Sequence, residues 1–288
     1  MSSRIRVFTS ALYMTTSGVV FGKDGALVID PNLLPREIDA IHWYVEQSEK
    51  PAKYLLYTHH HWDHILGGQA FPSARRLAHR CFPGAMDNHR PLDEISRFDD
   101  EYYIDRHPPF EFQPPHDLVE DGWTGDLGDV ELNLIHLPGH AIDMLGVHIP
   151  AERALFASDM LSDVELPMIE GDSSDYLQSL RKIDALVTSG QVETLAPGHG
   201  HVTQGTQAIR ARIVEDSAYI DRLRIAIGGK LSAGEDEEMA IEACRSIDYR
   251  NKQGWPSMGK VHEANVHAVY RAMKRQRIRN ESTNMPHI

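Results

Sequence analysis

A run of closely spaced histidine and aspartate residues in the first quarter of the chain constrains the fold more than any other feature. The pattern His-x-His-x-Asp-His places His59, His61, Asp63 and His64 in one short loop. Residues 53–57, directly before it, form an apolar run that predicts a buried strand. Imidazole nitrogen and carboxylate oxygen are ligands that zinc prefers and that iron and manganese also accept. The sequence therefore predicts a metal site where a strand ends and its loop begins, an edge that binds ligands in open α/β architectures.

Three further segments repeat this order of an apolar strand, a break and a residue that can bind a metal. His140 follows the apolar residues 132–137, and Asp159 and His199 each follow another short apolar stretch. Any one of these segments alone is typical of a turn with a hydrogen-bonded polar residue. Four such strand ends in one chain favour a common metal site assembled from all of them.

These motifs resemble the metallo-β-lactamase-fold hydrolases, the superfamily that includes the glyoxalase II thioesterases and the acyl-homoserine lactonases. The resemblance covers residues 5–205 and implies two divalent metal ions, most simply zinc, with iron or manganese as alternatives. The ligands that it implies are His59, His61 and His140 for one metal, Asp63, His64 and His199 for the other, and Asp159 bridging both.

The fold implied by the resemblance is α+β, an αββα sandwich with a helical C-terminal extension. In this fold two mixed sheets lie face to face, the helices lie outside, and the metals lie at one edge. We expect residues 1–205 to form the catalytic domain, with an insertion at 80–125. Apolar residues at helical spacing after residue 205 predict that 206–288 form a helical region packed on the same domain.

The implied activity is that of a dinuclear metal-dependent hydrolase acting on an acyl-type bond of a small molecule, such as an ester, lactone, thioester or amide. A divalent metal lowers the pKa of bound water from about 16 to about 7, and two metals would hold the resulting hydroxide between them. Asp63 is the expected catalytic residue, because its carboxylate can orient the nucleophile and carry its proton to the leaving group. The alternative is a mononuclear iron dioxygenase of the same fold, which acts on a persulfide or thiol.

Departures from three branches of the superfamily narrow the substrate class. Asp159 stands where lactamases with a cysteine ligand have that cysteine. No aromatic residue follows His199 closely, as a glutathione-binding tyrosine does in glyoxalase II. The residues after Asp159 also lack the tyrosine found in many acyl-homoserine lactonases. These departures argue against the substrates of these three branches, and acyl-type bonds in general remain as candidates.

The composition argues against several classes of binding partner. A formal net charge of −13 argues against a nucleic-acid backbone as partner, because phosphate contacts require basic surfaces. The two cysteines, Cys81 and Cys244, lie far apart in sequence and are expected as free thiols of a reducing compartment. No apolar run approaches the roughly 20 residues of a membrane span, and no signal peptide is apparent, so a cytoplasmic enzyme without a membrane partner is expected.

The segment 80–125 matches no motif and carries many aromatic residues and prolines. A helix is predicted for residues 94–103, and a loop for the proline-rich remainder. Long loops in compact domains are usually functional or form interfaces. The segment is therefore interpreted as the candidate substrate-binding region or as the contact of a homodimer, with simple packing as the third interpretation.

The sequence also predicts where three helices begin or end and offers two interpretations of one aspartate. Ser173 or Ser174 is predicted to cap a helix, since serine is favoured at that position. Glycines 228 and 229 are predicted to end the helix that begins after residue 205. The arginine-rich tail from Lys274 is expected to fray. Asp30, at the end of an early strand, is interpreted either as a turn residue or as a support of the metal site.

Overall fold

The first of two six-stranded sheets contains the N-terminal strands of the chain. The computed structural model describes residues 4–31, 33–86, 90–249 and 256–283. The first three strands pair antiparallel and the remaining ones parallel. In spatial order the strands are β1 (Ile5–Thr9), β2 (Thr16–Phe21), β3 (Ala26–Ile29), β4 (Ala52–Leu56), β5 (Arg75–His79) and β6 (Asp117–Val119).

The second sheet contains the later strands and is antiparallel except for one parallel pair, β10 with β11. Its order across the sheet runs from β12 back to β7. The strands are β7 (Thr124–Asp126), β8 (Glu131–His136), β9 (Leu145–Ile149), β10 (Ala154–Phe156), β11 (Thr194–Ala196) and β12 (Thr203–Gln204).

The inner faces of the two sheets form one apolar core. Val20 and Leu56 of the first sheet belong to the same buried cluster as Val147 and Phe156 of the second. The two sheets approach closely at Gly18, where a Cβ atom would lie 2.5 Å from the Phe156 ring. Glycine is therefore required at this position for the sheets to pack at their observed separation.

The helices cover the outer faces of the two sheets. Three helices, with buried residues such as Ile41 and Phe98, pack in one cluster with Val28 and Leu55 of the first sheet. Four more helices form a second cluster with residues of the other sheet, such as Leu155 and Leu195. The helices are α1 (Pro35–Glu46), α2 (Phe82–Met86), α3 (Arg90–Tyr102), α4 (Ser173–Thr188), α5 (Thr206–Ser232), α6 (Glu237–Cys244) and α7 (Pro256–Thr283). This arrangement confirms the α+β, αββα sandwich with C-terminal helices.

Within the segment 80–125, the expectation of a loop outside one short helix was wrong. The segment contains α2, the whole of α3 from Arg90, strand β6 and most of β7. Proline does not prevent α3, because Pro91 lies in its first turn, where no intrahelical N–H bond is lost. Backbone pairing with β5 and β8 then makes strands of short stretches that have no strand pattern of their own.

The expected ends of two C-terminal helices were also wrong. Helix α5 continues through Gly228 and Gly229, because Ile227 and Leu231 extend its buried face on both sides of them. Tertiary packing here outweighs the roughly 1 kcal/mol that each glycine costs in a helix. Helix α7 continues to Thr283 instead of fraying from Lys274, and the Arg277 guanidinium donates to the Leu231 carbonyl at the end of α5. The last part of the expected frayed tail, residues 284–288, lies outside the described residues.

The cap of α4 differs from the prediction by one residue. Asp172 is the N-cap, and its carboxylate accepts a hydrogen bond of 2.8 Å from the Ser174 backbone N–H. The Ser173 and Ser174 hydroxyls instead accept hydrogen bonds from Arg224 of α5. The serines therefore fasten α4 to α5.

Among the residues that the structure describes, no helix combines the length and apolar character needed to cross a membrane.

We propose that residues 206–288 belong to the same folding unit as the sandwich. A substitution in the shared core tests this proposal. Leu223 of α5 is fully buried in the cluster that includes Leu155 and Leu195. Leu223→Ala is expected to lower the free energy of unfolding by about 2–5 kcal/mol in a single urea transition followed by circular dichroism. Val214→Ala, at a position 63% exposed on the same helix, is the matched control and should change stability little. Two separate transitions would contradict a single folding unit.

Candidate metal centre

Side chains from both sheets meet at the edge where several strands end. The loop after β4 carries His59 and His61, and the residues after β10 and β11 carry Asp159 and His199. His140 lies in the turn between β8 and β9. Hydrogen bonds join the loops across the sheets, as from the Leu145 N–H to the Thr58 carbonyl. All seven predicted ligands therefore lie in one region.

The first group of imidazoles consists of His59, His61 and His140. The His140 Nε2 atom lies 3.2 Å from His59 Nε2 and 2.9 Å from His61 Nδ1. Burial is the main cause that lowers the pKa of His59 and lowers that of His140 to about 4. These two rings are therefore neutral near pH 7, the form of imidazole that binds metals.

The second group consists of Asp63, His64 and His199. The first two lie in a short 3-10 helix, Trp62–His64, that directly follows His61. The Asp63 Oδ2 atom lies 3.2 Å from His199 Nε2 and 3.6 Å from His64 Nε2. Burial alone would lower the pKa of His64, but the carboxylates of Asp159 and Asp63 raise it well above its ordinary value.

Asp159 lies between the two groups. Its Oδ2 atom is 3.3 Å from His140 Nε2 and 3.3 Å from His199 Nε2, and its Oδ1 atom is 3.2 Å from His64 Nε2. Gly198 makes room for this carboxylate, because a Cβ atom there would overlap Asp159 Oδ1. The aspartate can thus face both groups at once.

The chemistry of this cluster fits divalent cations. The candidate ligand atoms of His59, His61, His140 and Asp159 lie within 4.8 Å of one another, and so do those of Asp63, His64 and His199. Among the described residues, His64 Nε2 and Asp159 Oδ1 are buried and lie 3.2 Å apart, yet neither makes a hydrogen bond of acceptable geometry. Buried polar atoms are rarely left without partners unless a water, ion or ligand supplies one. Two ions between these groups would satisfy them.

Asp30 contacts the second group of ligands. Of its two interpretations, a turn residue or a support of the metal site, the contacts favour the second. Its carboxylate accepts hydrogen bonds from the Thr58 N–H at 2.8 Å and the Thr58 hydroxyl at 2.6 Å, and lies 2.9 Å from His64 Nδ1. A carboxylate on one ring nitrogen orients the other toward a metal. His64 Nε2 accordingly faces Asp63 and Asp159.

Most of the other supporting contacts gave no signal in the sequence, because they join residues far apart in the chain. The hydroxyls of Thr58 and Ser158 lie 3.1 and 3.2 Å from His59 Nδ1. The Tyr13 carbonyl accepts a hydrogen bond of 2.9 Å from His199 Nδ1. Tyr13 and Met14 both have positive φ angles, 54° and 51°, a strained conformation typical of functional sites.

Two more carboxylates contact histidines of the loop that follows β4. The Glu170 Oε1 atom lies 3.1 Å from His61 Nε2, the nitrogen that faces away from His140. The Asp143 Oδ1 atom lies 2.8 Å from His60 Nδ1. His60 lies between two predicted ligands in sequence, and this contact orients its ring toward Asp143.

A cavity of about 690 Å³ opens beside the cluster. Asp63, Asp159 and His199 form part of its wall, so a bound molecule would contact the candidate metal site directly. Of the described residues in the segment 80–125, Arg90, Pro91 and Glu94 line the cavity. Further parts of the wall come from the β1–β2 turn, from residues 161–170 and from helices α4, α5 and α7.

Residues 11–199 match the family described as the metallo-beta-lactamase superfamily, which is well over half of the chain. The chain belongs to this superfamily. The match ends at His199 and thus includes every residue of the cluster.

Curated relatives within the superfamily are similar over parts of the chain. The acyl-coenzyme A thioesterase MBLAC2 of Gallus gallus is 31% identical over 157 residues, which are 49% of this chain and 54% of the relative. A hydroxyacylglutathione hydrolase of Ruegeria pomeroyi is 28% identical over 178 residues, 59% of this chain and 58% of the relative. The chain thus spans little more than half the length of these relatives.

Solved structures confirm the fold over nearly the whole chain. A metallo-beta-lactamase family protein from Thermus thermophilus superposes with a TM-score of 0.65 at 18% identity, covering 96% of this chain and 94% of that one. The sec-alkylsulfatase Pisa1 from Pseudomonas sp. gives a TM-score of 0.66 at 15% identity, covering 89% of this chain and 47% of that one.

The contacts of Asp30 generate a prediction about metal affinity. Asp30→Asn removes the carboxylate that faces Thr58 and His64. We expect zinc affinity, measured by competition with a chromophoric chelator, to fall about 10–100-fold. Asp39→Asn, at an exposed position of α1, is the control and should bind zinc as the unmodified protein does. Unchanged affinity in Asp30→Asn would show that this carboxylate does not position His64.

Proposed function

We propose that this protein is a dinuclear metal-dependent hydrolase that cleaves an acyl-type bond of a small molecule. The observation that carries the proposal is the convergence of seven imidazole and carboxylate side chains in two adjoining groups, with Asp159 in contact with both. The cavity beside them is of a size that accommodates a small molecule. The relatives named thioesterase and hydroxyacylglutathione hydrolase support the same class of reaction.

The proposed ligand assignment follows the two groups. His59, His61 and His140 would hold one ion, Asp63, His64 and His199 would hold the other, and Asp159 would bridge them. The ligand atoms are nitrogen and oxygen without cysteine, a set that zinc, iron and manganese accept. We propose zinc as the native metal.

Divalent ions bound there would polarise a substrate carbonyl and lower the pKa of a coordinated water. The protein's own contribution is positioning. Asp159 faces both groups, Asp30 orients His64, and the Tyr13 carbonyl orients His199. Asp63 is proposed as the proton carrier, because its carboxylate lies on the cavity wall 3.2 Å from His199 Nε2. Burial alone would raise the pKa of Asp63, but His64 and His199 lower it, so this carboxylate is ionised at neutral pH.

Esters, lactones, thioesters and amides are the candidate substrates. The names of the relatives make thioesters of coenzyme A and of glutathione the first compounds to assay. A cytoplasmic location and a homodimer stay predictions from the sequence.

Metal content tests the dinuclear assignment. Elemental analysis of protein purified without added metal is expected to show about two zinc ions per chain. Asp159→Ala is expected to lose at least one of them and to abolish turnover, because its carboxylate is shared by both groups. Asp221→Ala, at an exposed position of α5, is the control and should keep both ions. Full metal content and full activity in Asp159→Ala would contradict the proposal.

The same elemental analysis distinguishes the hydrolase from the alternative enzyme class. About one iron per chain, with oxygen consumption in the presence of a persulfide, would replace the hydrolase proposal by a mononuclear dioxygenase. The presence of all three second-group ligands, Asp63, His64 and His199, within one 4.8 Å cluster favours the hydrolase.

A further inference from the structure

Glu170, in the loop before α4, contacts two of the three proposed ligands of the first metal group. Its Oε1 atom lies 3.1 Å from His61 Nε2, and its backbone N–H donates a hydrogen bond of 3.2 Å to the His140 carbonyl. The other ring nitrogen of His61, Nδ1, lies 2.9 Å from His140 Nε2. The glutamate therefore contacts His61 through the ring nitrogen that the proposed metal does not use.

The contact between Glu170 and His61 determines which ring nitrogen carries the proton. An ionised carboxylate only accepts hydrogen bonds, so the proton of a neutral His61 ring lies on Nε2. The lone pair that binds a metal is then left on Nδ1, the nitrogen beside His140. Removal of a carboxylate that orients a ligand histidine in this way typically weakens metal binding about 10–100-fold.

A buried asparagine of α7 fixes the loop that carries Glu170. Asn265 is 0% exposed. Its Oδ1 atom accepts a hydrogen bond of 2.8 Å from the Ile169 N–H, and its Nδ2 atom donates one of 2.6 Å to the Pro167 carbonyl. The Ile169 side chain is also buried in the same cluster as Val266 of α7. The backbone directly before Glu170 is thus attached to the C-terminal helix.

The hydrogen bonds of Asn265 continue into the other C-terminal helices. Its Nδ2 atom also donates to the Tyr219 hydroxyl of α5 at 3.1 Å. This hydroxyl lies 2.9 Å from His262 Nδ1, and His262 Nε2 lies 3.0 Å from the Cys244 carbonyl. A carbonyl only accepts, so His262 donates to Cys244 and accepts from Tyr219. The Asn265 amide therefore has a partner for its oxygen and two for its nitrogen, which fixes its orientation.

We propose that Glu170 is a positioning residue for His61 and that Asn265 holds Glu170 in place, so that helix α7 controls the metal affinity of the first group. The proposal rests on the ligand assignment proposed above and deepens it. The family match covers residues 11–199, so Asn265 lies outside it. A residue beyond the matched region thus acts on a ligand within it.

Zinc binding to the metal-free full chain, measured by competition with a chromophoric chelator, tests the role of Glu170. Glu170→Ala is expected to weaken one of the two zinc ions about 10–100-fold and to leave the other unchanged. Glu170→Gln should lose less, because its amide oxygen can still accept from His61. Glu263→Gln, whose side chain is 61% exposed on α7, is the control and should bind both ions normally. Unchanged affinity in Glu170→Ala would overturn the proposal.

A double-mutant cycle determines whether Glu170 acts through His61. In a His61→Ala background, Glu170→Ala is expected to cause no further loss of zinc affinity, because the ring that it orients is absent. A further loss as large as in the unmodified background would overturn the positioning role. So would a third zinc ion that Glu170→Ala removes, since His60, His61 and Glu170 offer ligand atoms within 4.8 Å of one another.

Asn265→Ala tests the link to α7. This variant is expected to weaken the same zinc ion at least about fivefold, and its loss combined with Glu170→Ala should be smaller than the product of the two single losses. Asn265→Asp, which keeps the acceptor for Ile169 but not the donor to Pro167, replaces it if Asn265→Ala does not fold. Leu223→Ala is the control for destabilisation and should keep the zinc affinity of the folded protein. Equal losses in this control, or independent losses in the double variant, would overturn the role of Asn265.

Zinc binding without substrate separates this proposal from the hydrolase function. If the Glu170 and Asn265 variants lose zinc affinity as expected but no ester or thioester is cleaved, the hydrolase function fails and the positioning role stands. If substrates are cleaved and these variants bind zinc as the unmodified protein does, the positioning role fails alone. Absence of zinc binding in the unmodified protein would overturn both.

Discussion

The buried Asp159 carboxylate is the interaction on which the rest of this structure depends. Its side chain is 7% exposed, and its two oxygens lie 3.2–3.3 Å from nitrogens of His64, His140 and His199. Removing a carboxylate from water costs several kcal/mol unless opposite charge and hydrogen bonds compensate for it. Protonated rings or bound cations must supply that charge. The same requirement explains why so many polar residues surround the cluster in an otherwise apolar sandwich.

The two sheets place polar partners around Asp159, because several of their strands end at the same edge. Strands β3 and β4 run parallel, so Asp30 after the first reaches Thr58 after the second. Strands β10 and β11 are also parallel, which places Asp159 beside His199. Small residues such as Gly198 permit the close approach. The solved structures to which the chain is similar share this fold.

Substrate choice has a different structural origin. The family match ends at residue 199, yet Asp216 of α5 and Met258 and Val261 of α7 line the cavity. The C-terminal helices therefore line the cavity as well as forming part of the core. Since the match does not include these helices, similarity to thioesterases gives little information about the molecule that binds there.

The sequence alone determined the elements that local chemistry specifies. Apolar runs predicted the strands that precede the ligands, and the spacing of His59 to His64, with one ligand after each of three later strands, predicted the cluster. It did not determine where α5 ends, because the packing of Leu231 outweighs the glycine signal. It also could not reveal the contact of Glu170 with His61 or of Asp30 with His64. Such contacts join residues tens of positions apart, and only the tertiary structure decides which of many carboxylates and hydroxyls meet, because packing of the sheets and helices sets those distances.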